Sequence, residues 1–486
     1  MRRIGMAALA ALVIGWSAGE RAAAELVKYQ IPGTSSVVVL RGRYTVLPGG
    51  NASYTHPKLG QLKMDSRDVV DHKRLDEPDE LFERYERGIK TAEDAMAAAD
   101  FALRNGLVTK VYECATRAIE LDPNNAHAAS ILDLKQKIDA VDFGDSKQEE
   151  EDLRKSVKIG RMRVSLSKHF ILLHDTPETF DREKGRRKPR AEERLELLEL
   201  VYESFLLKFY SRGIELEIPN ERLKVVLFNE EADYDRFKLS ISPDLASAIG
   251  FYDPKTNISY FYDHGSSGGF REIRDLVNDI QQAGADAGRV RDPRAKDLIR
   301  LGATLNLLIE IDRENSDIEV VSHECTHQMA GNTGLFPRHI MTPSWVHEGL
   351  ATYFESPSEA AWSGIGAVNA ERLPFYRALA ENDPEHSHVD FIVSDEIFDL
   401  AGSHSSVLHG YSQAWGLTHF LVEKHFDELM AFYRKLGEMP PDVSLSADLL
   451  KELFDEVFES DRETLNIEYH SYMRQLKTEE EVVFGD

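Results

Sequence analysis

The chain has 486 residues, enough for several domains that each bury a core of their own. Its 84 Asp and Glu against 58 Lys and Arg give a formal charge of −26 and a pI near 5.1, which argues against nucleic acid or an anionic membrane as partner, since a phosphate-binding surface needs the opposite sign. Two cysteines, Cys114 and Cys325, exclude a disulfide scaffold and permit at most one bridge.

The basic start Met1–Arg3, the apolar run Ile4–Trp16 and the small-residue exit Ala22–Ala24 predict a secretory signal over residues 1–24, and with it a protein exported to the periplasm or the extracellular space. The alternative is a retained N-terminal anchor. No later stretch is long and apolar enough to span a bilayer.

Short β-rich runs at Ser36–Leu40, Tyr44–Leu47 and Gly60–Met64, divided by Gly, Pro and Asn, predict a small β module over residues 25–75. Residues 76–145 read as helical. Within them, Ala99–Gly106 and Cys114–Ala128 resemble a tetratricopeptide helical pair, which implies a packing element or a short adaptor for a protein partner, because one such unit cannot bury both faces. The charged run Asp145–Asp152 reads as a linker or an exposed helix start. Residues 160–265 read as an α/β part, with strands around a long helix from Glu192 to Tyr210, and the basic cluster Arg182–Arg190 as a solvated loop.

Between positions 248 and 262, apolar residues alternate around the turn Pro254–Asn257. This hairpin is either an open sheet edge that pairs with an extended peptide or an ordinary sheet strand. The passages His264–Gly269 and Gln281–Asp292 are predicted to be mobile rims. Residues 266–478 read mostly as helices with acidic loops near 380–400, and the end from Thr478 as a loose tail. The fold class is therefore α+β: a mixed sheet followed by a mainly helical half.

The chemistry sits in that helical half. His323 and His327 are four residues apart, so on a helix both imidazoles reach one ion, while Glu324 stands beside it as a proton acceptor. His-Glu-x-x-His arises by accident in about one in twenty chains of this size, and a companion segment gives it weight. That segment is a second helix, predicted to start at Thr342 and Pro343 as N-cap and first helical residue. It carries Glu348 as third ligand, with small Gly349 and Ala351 beside it for close approach. Three protein ligands leave one coordination position open for water. Glu355, two turns further, is placed to hydrogen-bond a ligand histidine. Cys325 points away around its helix and reads as buried and chemically quiet. His347 and His339 are set aside on direction.

Together, His323–His327 and Trp345–Glu355 resemble the gluzincin class of zinc peptidases. The likeness is closest to the peptidase-MA-like proteins described as a bacterial domain of unknown function, common in planctomycete-type bacteria. It covers roughly residues 160–430, with Ser167–His174, Arg222–Phe228, Gly250–Asp253 and Thr256–Tyr262 as its strands. It implies a thermolysin-like catalytic half and Zn²⁺ held by His323, His327 and Glu348, with Glu324 as general base.

An oxyanion donor is also needed, and Tyr411 is the best local candidate, with His409 second; both are predicted near the start of a buried helix. The sequence thus reads as a metallopeptidase acting on a peptide or protein. The alternative is a peptide- or protein-binding scaffold whose peptidase-like domain no longer turns over. The presence of all four central residues favours the enzyme.

Overall fold

The computed structural model describes residues 24–178, 188–355, 357, 358, 360–398, 404–459 and 461–485. The predicted signal up to Ala23 and most of the basic cluster Arg182–Arg190 lie outside the described residues. Arg190 is described and is buried rather than solvated. Its guanidinium meets Glu314 and Asp263 at 2.8 and 3.3 Å, because burial of an arginine requires anionic partners.

The first sheet contains β1 (Ala24–Gln30), β2 (Val37–Val46), β3 (Asn51–His56), β4 (Gly60–Asp65) and β5 (Val69–Leu75), antiparallel throughout in the order β4-β3-β2-β1-β5. Helices α1 (Pro78–Gly88), α2 (Ala92–Arg104), α3 (Val108–Leu121), α4 (Ala126–Ala140) and α5 (Lys147–Val157) follow. Thr91 and Asp94 form a reciprocal capping box at the start of α2. The buried face of α2 is largely alanine, which lets α3 and α6 (Arg190–Tyr210) approach closely.

The second sheet is mixed. It comprises β6 (Arg163–Leu166), β7 (Phe170–His174), β8 (Leu223–Phe228), β9 (Gly250–Asp253) and β10 (Ile258–Tyr262), ordered β6-β7-β8-β10-β9, with β7, β8 and β10 parallel and both edge strands antiparallel. The central strands are apolar without a break because both faces are covered. Phe170, Leu172, Val225, Leu227 and Phe261 face the core shared with α6 and α9 (Ala295–Asn332). Ile171, Leu173, Val226, Phe228, Tyr260 and Tyr262 face the core shared with α5 and α7 (Glu231–Ile241). The hairpin at 248–262 thus has one inner strand, β10, and one edge strand, β9.

The remainder is helical: α8 (Gly268–Arg289), α10 (Ser344–Phe354), α11 (Arg372–Asn382), α12 (Val389–Val393), α13 (His404–Lys424), α14 (Phe426–Gly437), α15 (Ala447–Asp455), α16 (Arg462–Met473) and α17 (Glu479–Phe484). A two-residue strand pair, β11 (Pro357–Ser358) with β12 (Ala361–Trp362), follows α10. The architecture is α+β, with sheets confined mainly to residues 24–262 and helices after them. No helix among the described residues is long and apolar enough to cross a membrane.

Two expectations are corrected. Gln281–Arg289 is not a rim but the end of α8, which packs on α9 where Gly284 and Gly302 leave room for Ile299 and Gln281. The end of the chain is not a loose tail, since α17 has its own capping box and its Glu479 and Glu481 pair with Arg41 and Arg377.

Behind α10 lies a buried polar cluster. Glu423 accepts from Arg104 at 2.8 Å and from the Tyr353 hydroxyl at 3.0 Å, with Lys208 at 3.9 Å. Burial would raise the Glu423 carboxyl, but Arg104 and Lys208 overcome it and hold the group at about 2. A depressed pKa stabilises the fold at pH values above the unfolded-state value, and the gain is lost as pH falls through the folded value. Glu423→Gln is therefore expected to cost about 3 kcal/mol at neutral pH, and urea titrations from pH 7 down to pH 2.5 should show the gap to wild type narrowing once below about pH 4.5. A gap that stays constant across this range would refute the assignment.

Candidate metal centre

Helix α9 carries the two histidines on its last turns. Beside them, Ser322 and Thr326 are buried and satisfied within the helix, Ser322 by Ile318 O at 2.7 Å and Thr326 by Ser322 O at 2.8 Å. Gln328 donates to Lys224 O and Asn257 O at 3.0 and 3.2 Å, which ties this stretch to the ends of β8 and β10. Cys325, on the far face, is fully buried, and burial pushes its thiol well above the ordinary range. It and Cys114 are both free thiols.

Helix α10 starts at Ser344, one residue later than predicted, and Thr342 does not cap it. The Asp395 carboxylate instead accepts from the backbone N–H groups of Ser344 and Trp345, both at 2.8 Å. A distant carboxylate fills the role usually played by a local side chain and favours the positive end of the helix dipole. Gly349 is needed for contact with α13, since a Cβ there would lie 2.2 Å from Thr418 Oγ1 and 2.6 Å from Ala414 O.

This seating brings three donors together. Glu348 Oε2 lies 3.0 Å from His323 Nε2 and 3.7 Å from His327 Nε2, and the two imidazole nitrogens are 3.0 Å apart. The three side chains keep only 12–15% of their exposure. Four donors set tetrahedrally about 2.05 Å from a zinc-sized ion are about 3.3 Å from one another, so the observed spacing fits a single ion. These residues form a cluster able to hold a metal.

Around the cluster, His323 Nδ1 donates to Glu355, whose other oxygen accepts from Arg372 at 3.2 Å. Arg372 also reaches Glu319 at 2.9 Å. Burial opposes charge on His323, yet Glu348 and Glu355 on its two nitrogens hold it well above its ordinary value. His327 goes the other way, to about 4, chiefly through burial, and is a neutral donor at neutral pH. Glu324 is 7% exposed and lies next to Gly250 of β9. Burial raises its carboxyl to about 7, with His323 pulling against and Glu348 adding.

Tyr411 stands with its ring 6.3 Å from that of His323 and with the Arg372 guanidinium 5.5 Å over its face. It lies two turns inside α13 rather than near its start, because the helix begins at His404. Burial, then Glu348 and Glu324, keep its phenol protonated far above neutral pH, so it remains a donor. His409 is not drawn in. Its Nδ1 is 3.1 Å from Phe375 O.

His347 is not one of the three donors, yet it does turn toward them. Its Nε2 lies 3.2 Å from Glu348 Oε1, and its ring is edge-on to His327 at 5.3 Å. Adjacent helical residues diverge by about 100°, but an imidazole is long enough to reach back to the neighbouring carboxylate. His339 is exposed and outside the cluster. Arg372 and Glu319 left no sequence signal, since neither belongs to a motif with local spacing.

The site therefore belongs to an α+β protein with a buried His/His/Glu metal-binding cluster shared by two helices. Residues 317–442, about a quarter of the chain, match a family described as protein of unknown function (DUF1570). That span contains all three donors, Glu324 and Tyr411. No curated protein and no solved structure matches the chain.

Ligand histidines are held in register by the group on their other nitrogen, and loss of that group weakens metal affinity about ten- to hundredfold. Titration of the metal-free full chain with zinc is expected to saturate at a single ion. Glu355→Gln should weaken binding by that factor and Cys325→Ala should not. Unchanged affinity in Glu355→Gln would show that Glu355 does not orient His323.

Proposed function

We propose that the chain is a zinc-dependent metallopeptidase of gluzincin type, with a thermolysin-like catalytic half, that hydrolyses peptide bonds in a peptide or protein substrate. The observation that carries this reading is the convergence of His323, His327 and Glu348 from two helices, with Glu324 next to them and, among the described residues, no fourth protein donor in the cluster. Two imidazoles and one carboxylate suit zinc among the common divalent metals. Zinc bound there would supply Lewis-acid polarisation of the scissile carbonyl and of water.

The remaining work falls to side chains. Glu324, raised to about 7, is poised between its two protonation states at neutral pH, so its carboxylate can take the proton of the attacking water and return it to the departing amine nitrogen. Tyr411, protonated and next to the cluster, would donate its phenolic hydrogen to the developing oxyanion. Glu355 would fix His323 through Nδ1, so that Nε2 faces the ion. Edge strand β9 passes beside Glu324 at Gly250, where an extended peptide could lie along it and present a carbonyl to the cluster. Export to the periplasm or the extracellular space fits the N-terminal sequence pattern.

The test is metal analysis of the wild type and Glu324→Gln, with both offered a mixed peptide library. Both are expected to hold zinc, with cleavage falling about a hundred- to ten-thousandfold in Glu324→Gln and about a hundredfold in Tyr411→Phe. Zinc in both with cleavage in neither would turn the reading to a peptide- or protein-binding scaffold.

A further inference from the structure

Arg338 lies past the cluster, along the same face of α9 and edge strand β9. Gly331 comes one helical turn after His327 on α9, about 6 Å further along the axis. A Cβ at Gly331 would lie 3.0 Å from Arg338 Cγ and 3.1 Å from the Tyr252 hydroxyl oxygen. The absence of a side chain thus lets the aliphatic stem of Arg338 rest directly on α9, against Tyr252 of edge strand β9.

The seat is fixed on the strand side as well. The Tyr252 hydroxyl donates to Asn257 Oδ1 at 2.9 Å, and Asn257 and Asn332 exchange contacts at 2.7 and 2.8 Å, which pins the β9–β10 turn to the end of α9. The Arg338 guanidinium is near enough to act electrostatically on the Tyr252 phenol. The side chain is exposed, and among the described residues no carboxylate pairs with it. The carboxylates nearer the metal differ in this respect, since Glu348 is held by imidazoles and Glu355 by His323 and Arg372.

We infer that Arg338 is a substrate-recognition residue that binds a carboxylate of the peptide lying along β9. This rests on the hydrolase reading above and names its substrate class. A guanidinium offers a planar pair of N–H donors matched to a carboxylate, and a stem already packed on the helix loses little freedom when it binds. One helical turn corresponds to about two residues of extended peptide, so the recognised carboxylate lies within about two residues of the cleaved bond. It is either the free C-terminus, which makes the enzyme an exopeptidase, or an Asp or Glu side chain, which makes it an endopeptidase with acidic preference.

The test offers the zinc-loaded full chain matched peptide pairs, one set differing in a free C-terminus against an amide and the other in Glu against Gln. In one set, the carboxylate member is expected to show kcat/KM higher by about tenfold or more, and R338A should close the gap, with R338K closing it only in part. A gap in the first set assigns the guanidinium to the C-terminus, and a gap in the second assigns it to an acidic side chain. Equal rates within every pair, or a gap that persists in R338A, overturns the inference while leaving the hydrolase reading intact. The same pairs are titrated by fluorescence anisotropy into zinc-loaded Glu324→Gln with and without R338A. A carboxylate preference there that depends on Arg338, combined with no cleavage by wild type, would sink the hydrolase reading and keep the inference. Equal binding within every pair, where wild type cleaves nothing, overturns the inference too.

Discussion

Burying the carboxylate of Glu348 sets the conditions that the surrounding structure has to meet. A carboxylate withdrawn from water needs positive or N–H partners within hydrogen-bonding reach, or it is costly enough to disrupt the fold. Two imidazoles provide them, His323 on one oxygen and His347 on the other, with His327 just outside that reach at 3.7 Å. The division of labour has a chemical consequence. With Oε1 engaged by His347, only Oε2 faces His323 and His327, so an ion held there would meet one carboxylate oxygen. The same demand is passed outward through Glu355, Arg372 and Glu319, so that each buried charge is answered by the next.

That arrangement depends on how tightly α10 is held. Its first turn is fixed by Asp395 and by Trp345 stacked on Phe432, its middle by the Gly349 contact with α13, and its end by Glu355 on His323. Glu348 lies between the first two of these. A side chain at position 349 would push α10 off α13 and carry the carboxylate with it, so the glycine acts on the cluster without touching it.

The donors were legible in the sequence because their geometry is local. Four-residue spacing on a helix places His323 and His327 side by side whatever the rest of the chain does, and Glu348 follows from a short apolar segment with its own helical period. The α+β division was legible for a similar reason, since unbroken apolar runs such as Leu223–Phe228 mark strands covered on both faces. What sequence could not give came from partners far apart in the chain. Asp395 caps α10 from some fifty residues away, Arg372 reaches the site from α11, and nothing in their flanking residues says so. Composition also misled. The Gly- and Asp-rich passage Gln281–Asp292 suggests a loop, yet Gly284 serves helix contact against Ile299 of α9. The charged C-terminus suggests a tail, yet its glutamates find arginines on β2 and α11.

The N-terminal elements belong to the same chain of dependence. The segment just after Glu355 is clasped from two sides. Lys58, from the loop between β3 and β4, donates to Ala360 O at 2.7 Å, while Asn315 of α9 accepts from Ala360 N at 2.8 Å. On the other side the Trp362 ring packs over Gly106 at the end of α2, and Gly364 lies so close to Arg104 O that a Cβ would approach within 2.1 Å. Arg104 in turn pairs with Glu423, which holds the Tyr353 hydroxyl on α10. The apolar faces of α2, α3 and α4 merge into the core that contains α6, α9, α10 and α13. A lone helical pair has no second partner for its inner face, and here the helical half that holds the His/His/Glu cluster supplies it. These N-terminal helices thus spend their packing surface on the segment that follows Glu355, which makes them a brace for His323.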